Sequence, residues 1–302
     1  MSENIENINP ITNSENKETI AYSVMMLVYF KADPVEFDEA IKSMMEQTLP
    51  PDEFVLVCDG PIGNELEAVI RNYEHMYPQK FNVIRIEMKI GIGPCANRAL
   101  SECRNEIVVR MDADDISVPN RCELEIAEFQ KDPELDIVGG YIVEFDKNDK
   151  ENGLLREVPL EHDELLAYAR RRIPFNNVTV AMRRDRALAV GGFFSLARGE
   201  DYEMYCRMLI NGAKGKNIPK VLVRCRVNED AYVRRKQWSH TSSLINVRWQ
   251  LYKRGFSSFL DFLVMSCSHI AIMLLPTRFT KWLYSSHLRK REPKEETKQN
   301  EQ

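Results

Sequence analysis

The chain has no C-x-x-C pair, no excess of basic residues and no uninterrupted apolar run long enough to cross a bilayer. Its seven cysteines, Cys58, Cys95, Cys103, Cys122, Cys206, Cys225 and Cys267, are scattered and odd in number. That pattern points away from a disulfide framework or structural zinc and fits reduced thiols in the cytoplasm. Lys and Arg total 41 against 46 Asp and Glu, a net charge of −5, so no global basic field favours a nucleic acid partner. Residues 1–20 are polar and lack an apolar core segment. They are expected to form a disordered tail, not a secretory leader, and the charged residues 292–302 a second tail.

With 44% apolar and 29% charged residues in 302, what remains is a globular chain with a substantial core. Tyr22 to Tyr29 is an almost continuous apolar run, as expected of a strand covered on both faces. Asp33-Pro34 and Glu36 supply the start of a helix, which carries Phe37, Ile41, Met44 and Met45 and ends at Pro50-Pro51. The cycle repeats with strands at Glu53–Cys58, Phe81–Ile86 and Glu106–Met111, and with helices from Asn64 to Pro78, from Pro94 to Cys103 and from Pro119. Strands alternating with helices predict right-handed βαβ units, a mainly parallel sheet and helices on both faces. Past Ile137 the expectation is an α+β half: strands at Tyr141–Phe145, Val178–Met182 and Lys220–Val227, and helices at His162–Arg172 and Asp201–Asn211. From Ser239 onward it is helical throughout.

Ligands of an open parallel sheet bind beyond the carboxyl ends of its strands. Tyr29, Asp59 and Asp112 fall there. Asp112 opens Asp112-Ala113-Asp114-Asp115, three carboxylates in four positions, which repel one another unless a cation joins them. Oxygen donors without nearby His or Cys suit Mg²⁺ or Mn²⁺ shared with a substrate phosphate; the alternative is a solvated cap on the next helix. A second pair, Glu200-Asp201, stands before a helix, where acids also simply complement the helix dipole. Together the two clusters describe metal-assisted transfer from a diphosphate, with one carboxylate taking a proton from an attacking hydroxyl. Several rivals compete. Gly91-Ile92-Gly93-Pro94-Cys95-Ala96 satisfies the dinucleotide-binding pattern, with Asp112 placed 112 − 91 = 21 residues on. Nucleotidyltransferase and phosphatase readings, and a catalytically silent sugar-nucleotide or glycan binder, complete the set.

At these residues the chain resembles the family 2 glycosyltransferases of GT-A fold, and is similar to the amylovoran-type branch of bacterial capsule and exopolysaccharide synthesis. The likeness runs from Tyr22 to Arg235 through Ser23–Tyr29, Ser43–Thr48 with Glu53–Gly60, Gly91…Asn97, Met111–Asp115, and Gly191-Gly192-Phe193 followed by Gly199-Glu200-Asp201. It departs at Phe30, Cys58 and Pro94, which are positions of nucleotide contact. The resemblance implies a catalytic domain over 21–237 and an inverting, metal-dependent hexosyltransferase. It implies a nucleotide-sugar donor, UDP-linked by expectation, bound by Val28, Tyr29, Asp59, Asn97, Asp112 and Arg235. Asp112 and Asp114 form the D-x-D metal motif for Mn²⁺ or Mg²⁺. Asp201, with Glu200 beside it, is implied as the base acting on a glycan or lipid-linked oligosaccharide acceptor.

Arg224, Arg226, Arg234, Arg235 and Lys236 suggest a basic loop able to close over a diphosphate, or plain surface charge. In the helical region 238–291, Phe262–Leu275 carries no Asp, Glu, Lys or Arg. Its 14 residues reach only about 21 Å, short of a hydrocarbon core of about 30 Å. Arg278, Lys281, Trp282, Tyr284, Arg289, Lys290 and Arg291 follow. Residues 256–291 therefore read either as a peripheral anchor on the inner face of the plasma membrane or as helices packed on protein.

Overall fold

The computed structural model describes residues 20–146, 149–227, 237–275 and 290–291; both expected tails, and Arg234, Arg235 and Lys236, lie outside them. Strands β1 (Tyr22–Val28), β2 (Glu53–Cys58), β3 (Phe81–Arg85) and β4 (Ile107–Asp112) alternate with helices α1 (Pro34–Met45), α2 (Asn64–Met76) and α3 (Ile92–Glu102). The four strands lie in the order β3-β2-β1-β4, all parallel. Alternate residues feed two cores. Val24, Met26, Leu56 and Val109 pack with α1 and α2 on one face, while Met25, Val55, Val57 and Val108 meet α3 on the other. Burial on both faces is why β1, β2 and β4 read as nearly unbroken apolar runs, while β3 at the edge of the sheet is only half-buried.

Helix α1 starts where its sequence says it should: Asp33 Oδ1 accepts from Val35 N–H at 2.9 Å and Glu36 N–H at 3.2 Å. Helix α3 starts two residues before Pro94, at Ile92, with Gly91 ahead of it at φ +96°. The turn that leads into it is held from across the fold. Asp59 Oδ1 accepts from Ile90 N–H at 2.7 Å and Gly91 N–H at 3.2 Å, a partnership that no local pattern announces.

The second half departs further from expectation. After β5 (Ile116–Ser117) and α4 (Arg121–Lys131), β6 runs over Leu135–Asp146, starting well before Tyr141. The neighbouring β9 (Lys214–Arg226) is likewise longer than Lys220–Val227 and pairs parallel with β6. Gly139 and Gly140 permit that approach: a Cβ on them would sit 2.6 Å from Asn217 Oδ1 and 2.5 Å from Leu222 Cδ1. Strand β7 (Asp149–Arg156) pairs antiparallel with β6. Helix α5 (His162–Ala169) ends before Arg170, and the expected Val178–Met182 strand is a 3₁₀ turn at Asn177–Thr179 followed by β8 (Ala181–Arg183). The short α6 (Arg184–Ala189) then precedes α7 (Glu200–Ile210). The sheet is thus parallel in its first half and mixed as a whole. Helices α8 (Trp238–Lys253) and α9 (Phe259–Leu274) form the C-terminal pair, but the region is not helical throughout. Lys290 and Arg291 form β10, antiparallel to β7 at Leu155 and Leu154.

Candidate active site

The parallel register assembles the first part of the site. Val28 is opposite Cys58 and Leu27 is opposite Asp112, so Val28, Asp59 and Asp112 share one edge. Tyr29 follows β1 and is half-exposed, with Lys89 Nζ 4.9 Å above its ring and Phe30 edge-on at 5.9 Å. Asp59 is buried with its carboxylate on the 90–91 amides, and Lys89 N lies only 3.0 Å from where a Cβ on Gly60 would stand. This aromatic and basic corner is therefore fixed by Asp59. Lys89 escaped the sequence reading because nothing in its own stretch marks it.

Next to that corner, Asp114 and Asp115 are stabilised from β9. Asp115 is buried and accepts from Arg226 N–H at 2.8 Å. The Arg226 guanidinium donates to the Asp114 carbonyl and to Glu39, and lies 3.9 Å from Glu36. Arg224 and Arg226 are thus strand residues, and Arg226 is buried structure instead of part of a closing loop. Charge compensation is incomplete. Burial, then Asp112 and Glu36, push the Asp114 carboxyl up to about 6, and burial with Asp114 and Asp112 drives Asp115 well above the carboxylate range.

That surplus of negative potential is the test for a divalent cation, and these residues fit one. Among the described residues no three His, Cys, Asp or Glu side chains gather closely enough to cage a metal. Mg²⁺ and Mn²⁺ sites with one or two carboxylates, completed by water and substrate phosphate, need no such cage. Asp112 and Asp114 are the pair that would hold the ion.

The second acidic pair reaches the same place through Arg110. This β4 side chain is 6% exposed. Its Nη2 donates to Asp112 Oδ1 at 3.2 Å. With the Asn177 amide oxygen turned toward it, the assignment that satisfies both neighbours, Asn177 accepts from Arg110 Nε at 3.1 Å and Nη2 at 3.0 Å and donates to Tyr205 Oη at 2.6 Å. Burial opposes the guanidinium's charge, but Asp112, Tyr205, Asp201 and Glu200 around it raise its pKa above the usual arginine value. Its Nη1 has no hydrogen-bond partner among the described residues. Arg110, Asn177 and Tyr205 were not singled out from sequence; Arg110 looks like any strand residue until Asp112 and α7 are seen on either side of it.

Asp201 and Glu200 open α7 after Gly199, which is left-handed at φ +84°. Asp201 Oδ1 accepts from Tyr202 N–H at 2.7 Å. Burial and then Asp201 raise the Glu200 pKa. The preceding loop is bound to α3 by Asn97, whose Oδ1 accepts from Phe193 N–H at 2.7 Å and whose Nδ2 donates to Phe193 O at 2.8 Å. Phe193 in turn lies 5.6 Å from the Arg110 guanidinium. A Cβ on Gly93 would stand 2.5 Å from Phe194 O, so this glycine makes room for a neighbouring loop and not for a dinucleotide pyrophosphate.

Gly192 is at φ +63°, and a Cβ there would come within 2.1 Å of Asn97 Oδ1. Gly192→Ala is expected to cost at least about 2 kcal/mol, from left-handed strain and loss of the Asn97 bonds. Urea denaturation compared with wild type checks the figure, and an unchanged midpoint would refute the account of the loop.

The glycosyl transferase family 2 model matches residues 23–192, and the chain belongs to that family. Among curated relatives it is similar to UDP-Gal:alpha-D-GlcNAc-diphosphoundecaprenol beta-1,3-galactosyltransferase of Escherichia coli, at 31% identity over 273 residues, 90% of this chain and 98% of that one. It is also 31% identical, over 267 residues, to the amylovoran biosynthesis glycosyltransferase AmsE of Erwinia amylovora, covering 87% and 97% of the two chains. Among solved structures, a mannosyltransferase from Pyrobaculum calidifontis in complex with GDP-Man and Mn²⁺ shares the fold, with TM-score 0.58 and 18% identity over 86% of this chain and 71% of that one. The protein is a glycosyltransferase.

Proposed function

We propose that this enzyme transfers a hexose-type sugar from a UDP-sugar, with inversion and with Mn²⁺ or Mg²⁺, to a hydroxyl of a lipid-linked oligosaccharide or surface polysaccharide. The observation that supports this most is buried Arg110, which donates to Asp112 at the strand end and whose charge is favoured by Asp201 and Glu200 at the start of α7. Donor and acceptor chemistry thereby meet at one buried guanidinium. The E. coli relative is named for a UDP-Gal donor and a diphosphoundecaprenol acceptor, which supports the donor nucleotide and the lipid-linked acceptor. We assign the catalytic domain to 21–237, and place the enzyme in the cytoplasm, peripherally on the inner membrane face.

In this reading Val28 and Tyr29 flank the nucleotide base, Asp59 and Asn97 shape the crevice through the loops they hold, and Arg235 joins from outside the described residues. Asp112 and Asp114 hold the divalent ion, which when bound neutralises charge on the departing diphosphate. Asp201 accepts the proton of the attacking hydroxyl, with Glu200 beside it. A single displacement with one base gives inversion.

A donor screen by released nucleoside diphosphate, across UDP-, GDP- and dTDP-sugars with and without Mn²⁺, tests the proposal. Cation-dependent turnover of a UDP-sugar is expected; turnover unaffected by chelator would refute the metal. A pH arm follows from Asp114. Its carboxyl is raised to about 6, so below that pH a proton competes with the cation, and half-saturating Mn²⁺ should climb up to about tenfold per unit. In the metal-free protein the sign is opposite for stability. The folded state holds this proton more tightly than the unfolded one, so its contribution declines as pH rises from 3.8 through about 6.

A further inference from the structure

Helix α9 is inside out. The residues it turns to solvent are Phe259, Leu260, Leu263, Val264, Cys267, Ile270, Ala271 and Leu274, an all-apolar stripe at helical spacing. Its polar side chains face inward or, as with half-exposed Ser268, bond back to the helix at Val264 O, 2.8 Å away. Asp261 is buried, pairs with Arg171 and completes a capping box with Ser258, and Ser266 is buried too. Burial, with Arg248 and Arg198, holds His269 down to about 4. Core packing therefore gives no reason for the stripe, and an apolar patch of this kind marks an interaction surface.

We propose that the outward face of α9 is the surface by which this enzyme rests on an anionic lipid bilayer. Three observations favour lipid over protein. At 16 residues the helix is about 24 Å long, and no described helix is long and apolar enough to span, so a bilayer would take it lying in the interface plane. In sequence, residues 262 to 291 hold no Asp or Glu but five Lys or Arg; Arg278, Lys281 and Arg289 lie outside the described residues and Lys290 and Arg291 are in β10, so the charge that suits acidic headgroups is a property of the composition. Trp249, Tyr252 and Phe259 cluster at the start of the stripe, with ring centroids 5.4 and 5.6 Å apart along the series, and amphipathic rings favour the headgroup level.

The surface adjoins the acceptor side. Helix α8 packs on α9 and on the loop before Glu200: Ser243 Oγ donates to Arg198 O at 2.8 Å, and Leu244 lies 2.9 Å from where a Cβ on Gly199 would be. A lipid-linked acceptor would then meet Asp201 close to the membrane plane, a purpose that rests on the reading of the acceptor above.

The test is sedimentation of the full chain with phosphatidylglycerol-containing vesicles and with pure phosphatidylcholine vesicles, alongside UDP-sugar hydrolysis in solution. The wild type should bind the anionic vesicles at least tenfold better. Leu260→Glu/Val264→Glu should lose at least tenfold of that binding while circular dichroism and hydrolysis stay unchanged. Failure of the wild type to bind, or equal binding by the variant, overturns the proposal. So does a wild-type dimer in light scattering that the variant dissociates, with no vesicle binding, since the face is then covered by a second copy. Vesicle binding without any UDP-sugar hydrolysis would instead count against the UDP-sugar donor and leave the surface standing.

Discussion

Asp201→Asn is expected to lower kcat by about a hundred- to ten-thousandfold, the usual contribution of a positioned general base, with little change in donor KM. Asparagine keeps the shape and still accepts from Tyr202 N–H, as Asp201 Oδ1 does at 2.7 Å, so the start of α7 should survive. Single-turnover and steady-state assays of nucleoside diphosphate release, with acceptor present, measure the loss. A variant with wild-type kcat would remove Asp201 from the chemistry. A variant whose KM for the donor rises in step would place it in binding. Glu200→Gln provides the contrast: Glu200 is next to Asp201 and near Arg110, and a smaller loss there would separate proton acceptance from electrostatic support.

The largest stability effect should come from Arg121, wholly buried on α4. Its Nε donates to Glu125 Oε1 at 3.0 Å and its Nη2 to Arg110 O at 2.8 Å, both within the core. Arg121→Met leaves Glu125 buried without its partner, a loss of about 3–5 kcal/mol, or on the order of 10 °C in Tm for a domain of this size. Arg121→Met/Glu125→Leu should recover most of it, because no uncompensated charge remains. The sign with pH is set by Glu125, whose pKa burial raises to about 7 against the pull of Arg121. The folded state binds that proton more tightly than the unfolded one, so this contribution to stability falls as pH rises from 4.5 through about 7. Without Arg121 the carboxyl rises further, and the single variant's deficit should be widest at alkaline pH and narrow toward pH 5. Thermal melts across that range settle it, and a pH-independent deficit would contradict the assignment.

The first half of the fold was legible because β1, β2 and β4 lie between two helical layers and read as apolar runs, with turn chemistry such as Asp33-Pro34 at the joints. The edge motif at Asp112 and Asp114 followed from the same periodicity. What was hidden depends on distant partners. The turn leading into α3 is held by Asp59, 32 residues before Gly91. The length of β6 is set by a close parallel neighbour that only Gly139 and Gly140 admit. Arg110 gains meaning only when α7 arrives beside it, and Arg226 only when β9 is seen to run alongside the D-x-D segment. The outward face of α9 was partly legible, since the apolar run was plain while the direction it faced was not.

The Asn97–Phe193 clasp has a consequence for engineering. It fixes one end of the segment that leads to α7, and Gly199 against Leu244 fixes the other. Between them Ser195, Ala197 and Arg198 are exposed. If Asp201 acts on the acceptor as proposed, grafts of altered length or chemistry confined to 195–198 should change which alcohol is admitted, whereas grafts reaching back to Gly192 would break the Asn97 clasp as well.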